Sequence, residues 1–213
     1  LSEDIYYGKV IFFDQSDSLS LIPIVEFELD SIEFSKGFHS LDTLINQLPL
    51  KDSTIYYIQV KVFDIAKNWN DSTVITDFHY DITTPIVNIL DPIDSSFINT
   101  NAVSIYKSED LISADMYWVN SEGNAISSRI REGDLFFGED RLVMYPLSPN
   151  ENTHYDLFII GEDLAGNSFQ TNVTNGIIYD VTAPIITINK PTESGYINTK
   201  ALSYDLSEPL IQA

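Results

Sequence analysis

The stretch YDVTAPIITINKPTESGYINTKALSYDLSEPL (179–210) decides the fold, because the chain has already written it once. Residues 80–111 read YDITTPIVNILDPIDSSFINTNAVSIYKSEDL, and the two passages align at a constant offset of 99. Tyr80, Asp81, Thr83, Pro85 and Ile86 recur as Tyr179, Asp180, Thr182, Pro184 and Ile185. Ile98-Asn99-Thr100 recurs as Ile197-Asn198-Thr199, and FDIAKN (63–68) as EDLAGN (162–167). Further back, LSED (1–4) matches KSED (107–110) at an offset of 106, so the first copy carries about seven extra residues. A period near 100 suits a β-sandwich module of immunoglobulin size rather than a short solenoid repeat.

Strand patterning agrees. In IYYIQVKVFD (55–64), Tyr56, Ile58, Val60 and Val62 alternate with Tyr57, Gln59 and Lys61, the period of a half-buried strand. Its counterpart HYDLFIIGED (154–163) places Tyr155, Leu157 and Ile159 inward. Each strand runs into a four-residue turn, IAKN or LAGN, and a long return strand follows. No stretch keeps a helical period over three turns. Both copies also share the spacing Leu48, Thr54, Tyr56 and Leu147, Thr153, Tyr155, which predicts a tyrosine corner: ring in the core, hydroxyl bonded to backbone.

Composition bounds the function. The chain has 213 residues, enough for two sandwich modules, and 44% hydrophobic residues supply their cores. A net charge of −21 argues against nucleic acid as a partner, since phosphates would be repelled. Such a charge serves either solubility or the collection of divalent cations. The absence of cysteine removes disulfides, thiolate zinc sites and cysteine nucleophiles. No apolar run is long enough to span a membrane, and none inserts in this segment.

The set formed by YDLFIIGEDLAGN, YDVTAPIITI, YINT and YDLSEPL resembles the bacterial immunoglobulin-like (fibronectin type III-like) tandem repeats of large cell-surface, adhesin-type proteins. The first copy departs from the pattern at Lys67, which stands where the second has Gly166. The expected fold is all-β, with tandem immunoglobulin-like β-sandwich domains. Residues 1–82 form a repeat lacking its first strands, 83–181 a complete repeat, and 182–213 the first strands of a third. The resemblance implies a secreted array at the bacterial cell surface that spaces or displays other modules. Its partners are neighbouring repeats or identical subunits joined head to tail. What the start lacks, strands A and B, the finish provides, so two explanations stand: a window from a longer array, or donor-strand assembly into filaments.

No catalytic constellation is present. His39, His79 and His154 lie in different strands without a motif, and no phosphate-cradling loop or nucleophile elbow occurs. The expectation is a non-enzyme. One acidic group is sharper: Asp81 in the linker, Glu109 and Asp110 in the B–C loop, and Asp163 at the F–G turn. In an immunoglobulin-like sandwich these share the end facing the preceding module. Calcium accepts six to eight oxygens in a forgiving geometry, so these four are the candidate calcium ligands. Relatives of the resembling class use calcium at such joints.

A weaker modification signal is five triplets, at 17–19, 30–32, 42–44, 52–54 and 71–73. They resemble the Asp-Ser/Thr-aliphatic acceptor of O-glycosylation in Bacteroidota. Alternatives to the spacer are a module binding a surface glycan or protein, with the apolar segment 18–41 of the first copy as candidate, or the non-catalytic appendage of a secreted hydrolase.

Overall fold

A computed structural model describes residues 5–15, 23, 25–28, 49–143 and 149–209. In chain order the strands are β1 (Ile5–Asp14), β2 (Val25–Glu28), β3 (Thr54–Asp64), β4 (Trp69–Tyr80), β5 (Val87–Asp91), β6 (Phe97–Ile98) and β7 (Ala102–Lys107). They continue with β8 (Leu111–Asn120), β9 (Ala125–Arg129), β10 (Gly138–Val143), β11 (Thr153–Asp163), β12 (Ser168–Tyr179), β13 (Ile186–Lys190) and β14 (Ser203–Leu206). Among the described residues the one helical turn is a 3-10 turn at Glu132–Asp134.

The middle of the chain closes a complete sandwich. One sheet has the order β10-β7-β5, and the other β6-β12-β11-β8-β9. Alternation in the sequence builds the interface between them: Tyr155, Leu157 and Ile159 of β11 are buried, while His154 and Ile160 face solvent. They pack with Met116 and Trp118 of β8, Val173 and Ile177 of β12, and Val103 and Ile105 from the opposing sheet. Strands pair antiparallel throughout, save for a short parallel pairing of β6 with β12. Gly161 lies where β11 crosses β8 so closely that a Cβ would stand 2.3 Å from the Ser113 carbonyl oxygen. The chain is all-β, and this unit is an immunoglobulin-like β-sandwich.

The first sheet, β2-β1-β3-β4, repeats the β9-β8-β11-β12 half of that sandwich. Its core contains Val10, Phe12 and Tyr56, with Ile58, Val60 and Phe78 against them. Phe12 occupies the place of Trp118, and both meet the corner tyrosine edge-on: Phe12–Tyr56 at 6.4 Å and 79°, Trp118–Tyr155 at 6.0 Å and 81°. At the other end β13 pairs with β14 as β5 pairs with β7. Val87, Val103 and Ile105, buried in the sandwich, correspond to Ile186, Leu202 and Tyr204, which are exposed.

Both tyrosine corners form. The Tyr56 hydroxyl accepts the Lys51 amide at 2.7 Å and the Tyr155 hydroxyl accepts the Asn150 amide at 2.8 Å, with both rings buried. The hairpin turns match as well. Gly166 sits at φ 90° and Lys67, its replacement, is held at φ 67°, so the first copy keeps the glycine's geometry with a side chain attached.

Candidate functional site

The site is the joint between the first module and the sandwich. The corner tyrosine fixes the turn before β3, where Ser53 adopts φ 53°, as Asn152 does before β11. That turn aims Asp52 at the linker. Its carboxylate accepts the Ile82 amide at 2.8 Å and the Thr83 hydroxyl. These bonds, the Ile82 amide first, hold Asp52 below the ordinary carboxylate range. At the next linker Glu151 stands in the place of Asp52 and accepts the Thr182 hydroxyl. Asp81 and Asp180 each accept the amide of the threonine two residues on, at 3.0 Å in both linkers. The threonine of the D-x-T-x-P junction is therefore gripped from both sides, twice.

From the other side the F–G turn reaches in. Asp163 is buried, and its carboxylate accepts the Ala165 amide at 2.8 Å, the Asn167 amide at 2.9 Å and the Asn167 side-chain amide at 2.9 Å. Asn167 then donates from the same nitrogen to the Asp81 carbonyl oxygen at 3.2 Å. The first copy builds the same turn from Asp64 and Asn68, at 2.8 and 2.7 Å, and the Asn68 side chain holds Asp64 below its usual range.

The structure brings three of the four expected ligands together. Carboxylate oxygens of Asp81, Glu109 and Asp163 all lie within 4.8 Å of one another. Burial, followed by the charges of Asp81, Asp163, Asp52 and Asp110, pushes Glu109 above its ordinary value. Asp110 points elsewhere: it accepts the Phe137 amide at 2.7 Å and ties down the loop before β10. Beside the cluster runs a cleft of about 770 Å³, lined by Ile55, Ile75, His79, Tyr80 and the exposed Leu164. At the second joint Asp180, Thr182 and Glu208 line a smaller one of about 510 Å³.

Among the described residues no ion pair involves Asp81, Glu109 or Asp163, and crowded carboxylates of this kind suit a hard, oxygen-seeking ion. His79 and His154 are exposed on the outer faces of their strands. His39, the segment 18–41 apart from residues 23 and 25–28, and the triplets at 17–19, 30–32 and 42–44 lie outside the described residues. The clamp residues Asp52 and Glu151 escape sequence reasoning, although an acidic residue recurring 99 positions on, two before a conserved-in-repeat Thr, was a signal for them.

No family model matches the chain, and no curated protein matches it. Among solved structures it is similar to a 1.5-MDa bacterial ice-binding adhesin, at 14% identity and TM-score 0.37, over 91% of this chain and 60% of that one. The chicken CNTN1 FN1–FN3 domains match at 14% identity and TM-score 0.32, over 81% and 57%. An engineered protein matches at 14% and 0.32, over 49% and 22%. The chain thus spans less than two thirds of the length of each. The fold class rests on the strand order and register described above. Among the described residues no helix is long and apolar enough to cross a membrane.

Proposed function

We propose that this chain is a non-catalytic spacer segment of a larger protein at the bacterial cell surface, setting the distance and direction of other modules. The observation that supports it is the repeated linker grip: Asp52 with Thr83, then Glu151 with Thr182. A linker threonine held in the same way at both junctions favours a fixed orientation, which a spacer requires and an independent binding domain does not. Strands of about ten residues at roughly 3.3 Å rise give each module a length on the order of 35 Å. Small-angle scattering tests the reading. The native chain should behave as one elongated body, and Asp52→Ala should broaden its distance distribution. A compact or equally broad native profile would remove the spacer.

In the same reading, Asp81, Glu109 and Asp163 take calcium, with carbonyl oxygens and water completing the shell. The ion would replace repulsion with a cross-link between linker, B–C loop and F–G turn. Calcium should raise the melting temperature and a chelator lower it. Identical melting in both would leave the carboxylates as a solubility device.

A further inference from the structure

The chain contains three arginines against 32 acidic residues, and all three line one pocket. Arg129 ends β9 and Arg131 follows in extended backbone at φ −73°, ψ 150°, so the two flank the buried Ile130 on one side. Arg141 comes from β10, beside the buried Leu142. β9 and β10 are outer strands of opposing sheets. The pocket therefore opens in the flank of the sandwich and shares no lining residue with the cleft at either joint. Its volume is about 190 Å³.

The arginines are not consumed by the fold. Among the described residues the ion pairs are Lys9–Glu26 and Lys107–Asp140, and none involves an arginine. Arg129 lies opposite Asp115 in the β8–β9 register without bonding to it. Three exposed arginines thus line one small space in a chain whose overall charge is strongly negative. Beyond about 8 Å at physiological ionic strength, that overall charge is screened. Within the pocket the local cations set the sign.

We propose that this pocket binds one anionic sugar residue, a uronate or a sulfated hexose. Guanidinium forks match a carboxylate or sulfate two bonds at a time. The rest of the wall selects the sugar over a bare anion. Asp134 and Ser128 line the same space, and Asp134 would repel an unaccompanied anion but accept from a hydroxyl beside the charge. Buried Met116 and Leu142 give an apolar floor for the ring's C–H face. The volume is below the roughly 300–1,000 Å³ of drug-sized sites, which limits the occupant to about one ring. The site stands independently of the spacer reading and would give the array a ligand along its side.

The test is an NMR titration of the isotope-labelled full chain with D-glucuronic acid and glucose 6-sulfate, against glucose, acetate and an aspartate-rich peptide. Both anionic sugars should shift the arginine side-chain N–H signals and the Ile130 amide saturably, with glucose and acetate at least tenfold weaker. Arg131→Gln and Arg141→Gln should each weaken glucuronate at least tenfold at unchanged melting temperature, and Asp134→Asn should weaken it without improving glucose. Acetate binding as tightly as glucuronate would overturn the proposal in favour of an adventitious anion site. Tighter binding of the peptide would reassign the surface to a protein partner. Glucuronate affinity unmoved by the arginine variants would also overturn it.

Discussion

The Trp118 indole stands edge-on to the Tyr155 ring, and its Nε1–H is buried without a hydrogen-bond partner while the tyrosine hydroxyl beside it is satisfied. The first copy resolves the same position with Phe12, which carries no donor. Trp118→Phe should therefore be nearly neutral, within about 1 kcal/mol, because the relieved donor offsets the lost contacts. Trp118→Ala, which only leaves a cavity, should cost about 3–5 kcal/mol. Equal losses in chemical denaturation would show that the indole nitrogen carries no penalty.

The corner hydroxyls act in the opposite sense. Tyr155→Phe strands the Asn150 amide that the hydroxyl accepts, and should cost about 1–3 kcal/mol. Tyr56→Phe should behave alike through Lys51. Unchanged stability in both variants would reduce the corner to simple ring packing.

Lys67 offers a gain. A side chain at φ 67° is strained by roughly 1–2 kcal/mol relative to glycine, part of which glycine returns as unfolded-state entropy. Lys67→Gly should stabilise the first module by about 1 kcal/mol, read as a rise in its melting midpoint. A fall would mean that the lysine stem contributes packing that the turn geometry does not reveal.

The joint should respond to pH in two directions. Glu109 has its folded value raised, so its contribution is full at low pH and is lost as pH climbs through that value. Asp52 and Asp64 have theirs lowered, so their contributions are present above the ordinary aspartate range and disappear on acidification below it. With divalent ions chelated, mild acidification from neutrality should first raise the melting temperature as Glu109 takes a proton, then lower it. Glu109→Gln should abolish the first phase and raise stability at neutral pH. A monotonic fall with acid in the native chain would contradict this account.

The legible parts were those with local rules. Alternation places Tyr155, Leu157 and Ile159 in the core, and a spacing repeated in both copies marks the corner tyrosines. The joint cluster was legible through topology, since an immunoglobulin-like order brings linker, B–C loop and F–G turn to one end. Asp110 shows where that reasoning stops. Its neighbour in sequence joins the cluster, yet its own carboxylate is captured by the Phe137 amide 27 residues away, and no periodicity announces which backbone donor a loop will present. The arginine pocket was hidden for a related reason. Arg129 and Arg141 belong to opposing sheets, and only the closing of the sandwich brings them to one pocket.

One small pairing bears on how such a module meets tension. β6 runs parallel to the end of β12, with the Ile178 amide donating to the Ser96 carbonyl at 2.9 Å and the Asp180 amide to the Ile98 carbonyl at 2.9 Å. The chain enters at Thr83, runs through β5, which pairs with β7, reaches β6 only after that, and leaves just after β12. Once β5 is drawn away from β7, a pull through Thr83 and Val181 drags β6 and β12 in opposite directions along their length, so their bonds must shear together rather than peel one after another. Force applied through those two residues should thus meet a higher rupture peak than force applied across the sheet, from Asn120 to Tyr179. Equal peaks in a single-molecule pulling experiment would deny the patch this role; a higher axial peak would make it the mechanical fuse of the module.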